Sequence, residues 1–251
     1  MLVDLEWGEQ AAKQGSDAVV IVDVLSFSTS CSIAAERGMA VYPFPSGGGA
    51  AAFGRAMDVP VARRRHEPDG FFSLSPASFR TSAPVERLIL PSPNGSRLST
   101  MANATTVLAG CLRNAGAVAR HLMRLDKDVV IVAAGERWPD GTIRFAVEDY
   151  LGAGAIVSFL DGEKSAEAQA GEQLFRGVQG GLGALLADGK SGRELADIGF
   201  EADVEIAAEL NASDTVPMLS FAELSYRECL GPDVAGSADF LDSTVSYYRP
   251  A

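Results

Sequence analysis

Apolar residues recur along the chain with two rhythms. The stretches "AVVIVDV" (18–24), "MAVYPF" (39–44), "RLILP" (87–91), "ATTVLAG" (104–110) and "DVVIVAAG" (128–135) are short, β-branched and mostly unbroken by polar residues. Such continuous runs predict strands covered on both faces, because a strand with one wet face would alternate. Between them, residues 28–37, 48–57, 96–103, 113–125 and 143–160 carry helical spacing, and this alternation predicts the α/β class, with parallel strands joined by crossover helices. From Ser165 onward the pattern is helical, with one segment to about Ala187 and another in "SGRELADIG", where Ser191 is the expected N-cap and Glu194 follows three residues later. The last strand is expected in "TVPMLSF". Residues 60–84 mix charge, Pro and Ser without a period and predict a long loop, a feature that is usually functional or mobile. A strand, loop, helix plan occurs twice, around "VVIVDV" and around "VVIVAAG". That suits a single domain over 1–251 built from two similar halves, about 1–125 and 126–251.

Composition narrows the function classes. With 251 residues, 47% of them hydrophobic, the chain can bury a sizeable core. Its net charge is -12 and its longest basic run is Arg63–Arg65, which argues against a nucleic-acid partner and for small molecules. No apolar stretch is long enough to span a membrane, and "MLVDLEWGEQ" lacks the order of a signal peptide, so no membrane partner and a cytoplasmic location are expected. Cys31, Cys111 and Cys229 are far apart in sequence and form no CxxC, which speaks against disulfides and zinc. With only His66 and His121 available, and His121 on a helix beside Leu122 and Met123 in a structural role, carboxylates are the expected metal ligands. They favour Mg²⁺ or another hard cation.

Three motifs sit at expected strand ends, where ligands bind in open α/β sheets. Asp23 is a charge inside an apolar run, followed by Ser26, Ser28, Thr29, Ser30 and Ser32 leading into a helix. It can be a metal ligand, a nucleophile or a turn cap, and Ser28 or Thr29 can be an anion donor or an ordinary N-cap. In "LILPSPNGSRLST" the Asn-Gly pair precedes a helical pattern rather than a second strand, so the glycine is expected to admit close backbone approach. Asn94, Ser96 and Arg97 then supply donors, unless the stretch is a plain strand-to-helix turn capped by Ser96. In "VVIVAAGERWPDGTIRFAVEDYLGAGAIVSFL", Glu148 and Asp149 are the only charges within 145–160. Adjacent helical residues point about 100° apart, so one can reach the site while the other pairs locally. "SGGGAAAFG" lacks a Lys-Ser/Thr pair and is expected to be a helix lead-in, and "RRRHEPDG" a solvated loop.

Taken in order, "VDVLSFSTS", "SPNGSRL", "LAGCLRNAGAVARHL", "VVIVAAGERWPDGTIRFAVEDYLGAGAIVSFL" and "DTVPML" resemble the 2-phosphosulfolactate phosphatase (ComB-like) family from about residue 18 to 219. The resemblance implies a three-layer α/β/α fold with a largely parallel sheet. It also implies Mg²⁺-dependent removal of phosphate from 2-phospho-3-sulfolactate, a step toward coenzyme M. The expected partner is a small anionic phosphorylated substrate, with a homo-oligomer compatible. Asp23 and Glu148 are the expected catalytic residues, and Asp23, Glu148 and Asp149 the metal ligands. Ser28, Thr29, Asn94, Gly95, Ser96, Arg97 and Asn114 are expected around the phosphate or substrate. The chain departs from the family pattern at Ser26 and Phe27, where the family carries Arg and Ala. It departs again at 62–78, which reads "ARRRHEPDG" and "FFSLSPAS" in place of Gly-Glu-Arg and Gly-Asn-Ser-Pro segments. Serine cannot replace a bidentate arginine, so the substrate pocket is expected to be altered, with Arg97 or Arg63–Arg65 able to compensate. A catalytically altered small-anion binding or regulatory protein is the alternative.

Overall fold

The computed structural model describes residues 1–45, 49–66, 71–230 and 238–251. Eleven strands lie among these residues: β1 (Leu2–Trp7), β2 (Ser16–Val22), β3 (Ala40–Pro45), β4 (Arg87–Ser92), β5 (Ala104–Gly110), β6 (Val129–Ala133), β7 (Glu136–Arg137), β8 (Ile143–Arg144), β9 (Glu163–Lys164), β10 (Pro217–Ser225) and β11 (Thr244–Pro250). Nine of them form one sheet in the order β4-β3-β11-β10-β5-β2-β6-β1-β9, and β7 and β8 form a separate small ribbon. Neighbours among β5, β2, β6, β1 and β9 pair in parallel, as do β3 and β4. The antiparallel β10–β11 pair joins these two blocks.

The continuous apolar run of β2 has the cause its composition predicts. Ala18, Val20 and Val22 enter one core cluster, whereas Val19 and Ile21 enter another. Both faces are therefore dry, which gives a three-layer α/β/α sandwich. The helices that flank the site are α1 (Gly8–Lys13), α2 (Phe27–Glu36), α3 (Ala50–Met57), α4 (Pro76–Thr81), α5 (Gly95–Met101), α6 (Ala115–Leu125) and α7 (Val147–Ser158). The C-terminal layer follows with α8 (Ala166–Val178), α9 (Leu182–Asp188), α10 (Lys190–Ala196), α11 (Glu201–Ala207), α12 (Tyr226–Leu230) and α13 (Ala238–Leu241).

Several expectations change. The segment 165–187 is two helices divided by a 3₁₀ turn at Gln179–Gly181, where two adjacent glycines weaken the helix. Ser191 lies inside α10, whose N-cap is Gly189, and the capping serine is Ser165, which accepts from the Ala168 N–H at the start of α8. The expected 60–84 loop contains α4 and two short bridges to neighbouring chain, Val61 to Ile89 and Arg63 to Ser73. Strands β1 and β11 add to those expected. Residues 46–48 of the glycine-rich stretch and 67–70 of "RRRHEPDG" lie outside the described residues. Cys31, Cys111 and Cys229 are all free thiols, and no helix among the described residues is long and apolar enough to cross a membrane.

Candidate active site

Asp23 follows the last residue of β2 and is 5% exposed. One carboxylate oxygen accepts from the Gly95 N–H (2.7 Å) and the Ser92 hydroxyl (3.4 Å), and the other accepts from the Phe27 N–H (3.2 Å). Gly95 and Phe27 open α5 and α2, so a single carboxylate ties two helix N-termini to the end of β2. Both termini carry partial positive charge and N–H groups without an intrahelical partner, which favours an anion between them. Gly95 is required there because a Cβ would run into the Phe27 ring. The Leu25–Ser26 peptide between Asp23 and α2 is cis.

Three further carboxylates lie buried or nearly so around this point. Glu148 and Asp149 stand in the first turn of α7, each 3% exposed, and Glu136 opens the β7–β8 ribbon. Asp149 accepts from Val24 N–H (2.7 Å) and Gly135 N–H (2.9 Å), which locks the exits of β2 and β6 to α7. Glu136 accepts from the Asn94 side-chain amide at 3.0 Å. Burial raises all four pKa values, and repulsion from neighbouring carboxylates adds to it for Glu136, Glu148 and Asp149. Asp149 is pushed well up by burial, Glu148 and Asp23, and Glu136 is pushed up to about 7 by burial and the Asp23 charge. Glu148 is raised by burial, with Asp23 adding to it. Asp23 is also raised by burial, against which its two N–H bonds and Arg65 work in the opposite sense. Arg144 of β8 is buried, pairs with Glu194 at 2.8 Å and favours the charged forms of Glu136 and Glu148.

The remaining expected residues divide by what they touch. Asn94 and Gly95 reach this cluster, joined by Ser92, which was not among the expected residues. Ser28 and Thr29 donate instead to the Ile21 and Val24 carbonyls (2.9 and 2.8 Å), Ser28 also accepting from Asp23 N–H. Ser96 donates to the Leu90 carbonyl at 2.7 Å, and Arg97 turns to Glu9 at 2.7 Å. Asn114 accepts from Cys111 N–H (2.9 Å) and donates to the Ala109 carbonyl (3.2 Å), pinning the end of β5. Sequence reasoning did not single out Glu136, Arg144 or Asp203, and named Arg65 only within the Arg63–Arg65 run as a compensating cation. Glu136 carried the same signal as Asp23, a carboxylate just past an apolar strand. Arg65 donates to the Ser26 hydroxyl at 2.7 Å and lies 3.4 Å from the buried Asp203.

A buried group of carboxylates with few cations is the donor set of a hard divalent cation. Among the described residues no three His, Cys, Asp or Glu side chains are grouped to hold a metal ion by themselves. Magnesium is typically held by one or two carboxylates together with substrate phosphate and water, so this donor set fits it.

The family model described as "2-phosphosulpholactate phosphatase" matches residues 7–221. The chain belongs to the 2-phosphosulfolactate phosphatase family. It shares 33% identity over 229 residues with the "Probable 2-phosphosulfolactate phosphatase" of Carboxydothermus hydrogenoformans, covering 86% of this chain and 92% of that one. Similarity to the "2-phosphosulfolactate phosphatase" of Methanothermobacter thermautotrophicus is 29% over 216 residues, at the same coverage. With the "Probable 2-phosphosulfolactate phosphatase" of Gloeobacter violaceus it is 32% over 211 residues, 80% of this chain and 87% of the relative. Membership sets the chain among phosphoric monoester hydrolases, and every residue of the carboxylate cluster lies within the matched segment of this 2-phosphosulfolactate phosphatase family member.

Proposed function

We propose that the chain is a Mg²⁺-dependent phosphatase acting on a small anionic phosphomonoester, 2-phosphosulfolactate or a related 2-phospho acid. The observation that carries this reading is Asp23, a buried carboxylate gripped by the N-termini of α2 and α5, with the buried Glu148 and Asp149 and the half-buried Glu136 around it. Phosphoryl transfer asks chiefly for positioning and charge neutralisation. Asp23 and Glu148 would hold the Mg²⁺, which supplies charge neutralisation on the phosphate oxygens. The side-chain amide of Asn94, at the entry to α5, would orient the phosphate, and Asp149 keeps the β2 and β6 exits in register. Glu136, with a pKa near neutrality, can hold a proton on its carboxylate and give it to the departing ester oxygen. In the net reaction water forms the new P–O bond, the ester P–O bond breaks, and the alcohol leaves with the proton. Asp23 as nucleophile is separable from Asp23 as ligand by trapping a phosphoryl group on it in a single turnover.

The test is phosphate release from racemic 2-phosphosulfolactate, 2-phospholactate and an aryl phosphate, with Mg²⁺ and with chelator. Magnesium-dependent release that Asp23→Asn abolishes, with the melting midpoint retained, is expected. A folded protein that releases no phosphate from any ester would move the reading to a small-anion binding protein.

A further inference from the structure

Ser191 and Glu194 have the spacing of a helix-capping pair, yet neither caps a helix. Gly189 is the N-cap of α10, and Ser191, 5% exposed inside that helix, has a hydroxyl that makes no hydrogen bond. A buried hydroxyl without a partner is costly, and a serine inside a helix can ordinarily donate to the carbonyl four residues back. Glu194 pairs instead with Arg144 of β8 at 2.8 Å. Both residues of the pair are therefore explained by what α10 packs against, not by its own backbone.

Four contacts fix where α10 lies. A Cβ on Gly189 would stand 3.4 Å from Val147 Cγ1, so the entry to α10 abuts the first residue of α7. Glu194 holds Arg144, and Lys190 Nζ sits 4.0 Å from the centre of the Trp138 ring, so the helix also clasps the ribbon that carries Glu136. On the α9 side a Cβ on Gly192 would run into the Leu186 carbonyl, so glycine is required next to Ser191. Val147 immediately precedes Glu148, and Arg144 lies four residues before it. Ser191, between Gly189 and Glu194, is thereby set beside the Glu148 carboxylate, whose ionised form it favours. Asp23 and Asp149 each accept from two backbone N–H groups of other elements. The hydroxyl that another element brings to Glu148 is that of Ser191. We infer that Ser191 is a positioning residue for Glu148: its unpartnered hydroxyl donates to that carboxylate when Glu148 holds the divalent cation, and so fixes the orientation of the ligand. The inference rests on the proposed function for the role of Glu148. Carboxylates that bind metal ions are themselves hydrogen-bonded, and loss of such a partner typically costs about 10- to 100-fold in metal affinity.

The experiment compares wild type, Ser191→Ala and Ser191→Cys. The cysteine keeps most of the bulk with a weak donor, and supplies a second arm should the alanine variant not fold. Mg²⁺ binding is measured by titration calorimetry without substrate, melting midpoints are taken in chelator, and phosphate release from 2-phosphosulfolactate is followed across Mg²⁺ concentrations. Ser191→Ala is expected to weaken Mg²⁺ binding about 10- to 100-fold. Its midpoint in chelator should equal or exceed that of wild type, because the hydroxyl removed has no partner in the cation-free protein. The Mg²⁺ concentration for half-maximal turnover should rise by the same factor, with kcat at saturating Mg²⁺ changed little. A merely structural serine would instead lower the midpoint and leave Mg²⁺ affinity alone. Mg²⁺ affinity equal to that of wild type in both variants would overturn the inference and leave the proposed phosphatase standing. Ser191-dependent Mg²⁺ binding in a protein that releases no phosphate from any ester would overturn the phosphatase reading and uphold the role of Ser191. A wild-type protein that binds no Mg²⁺ would overturn both.

Discussion

Glu148 and Asp149 are adjacent carboxylates with different surroundings. Both oxygens of Asp149 are engaged by buried N–H groups, of Val24 and Gly135, so its removal orphans two donors at about 1–3 kcal/mol each. Asp149→Ala is expected to lower the melting midpoint by several degrees, at roughly 2–4 °C per kcal/mol for a chain of this size. Glu148→Gln keeps the shape of a side chain that points at the cluster, and is expected to hold the midpoint within about 2 °C while removing Mg²⁺-dependent turnover. Thermal melts by circular dichroism, set beside phosphate-release assays, separate the two. A Glu148→Gln protein that melts early and an Asp149→Ala protein that stays stable and inactive would reverse the roles.

At the scale of elements, the meeting of α2 and α5 decides whether Asp23 can bond both N-termini. The contact is between Gly95 and the Phe27 ring, and Gly95→Ala is expected to push α5 off α2. The outcome should be a loss of about 1–3 kcal/mol in stability together with at least a tenfold fall in kcat/KM, measured on the same preparation. Intact activity with lower stability would mean that the Asp23 to Gly95 bond is dispensable. The same elements show what the sequence could reveal. Strands β2, β5 and β6 were legible because a doubly covered strand must be apolar throughout, and Asp23 because a charge breaks that rule. Strand β1, with only the two-residue β9 beyond it, buries just Val3 and Leu5 deeply and alternates with Asp4 and Glu6, a weaker signal. Strand β11 carries Ser246 and Arg249 and gains its place from pairing with β10. Which of three successive arginines reaches Ser26 depends on Asp203, 138 residues away, and no local pattern contains that.

Across the whole molecule, the buried carboxylates predict how stability varies with pH. Surface acids such as Glu9 and Glu209 have pKa values lowered by arginine partners, from an ordinary 4.5. Their stabilisation is complete above that pH and constant beyond it. Glu136, Glu148, Asp23 and Asp149 are shifted the other way. Between their ordinary values and their raised ones the folded chain binds more protons than the unfolded chain, so stability falls as pH rises through that window. For Glu136 the window runs from 4.5 to about 7. His121, lowered from 6.5 by burial, contributes the opposite slope, but it is a single partly exposed group against four carboxylates. In chelator the melting midpoint is therefore expected to fall between pH 5.0 and 7.5, and Glu136→Gln to flatten that fall and raise the midpoint at pH 7.5 by a few degrees. Added Mg²⁺ should raise the midpoint more at pH 7.5 than at pH 5.0, because a cation binds the ionised cluster and competes with protons for it. A midpoint that is independent of pH in chelator and unmoved by Mg²⁺ would mean that the cluster ionises without cost. The dependence of the site on a divalent cation would then have lost its physical basis.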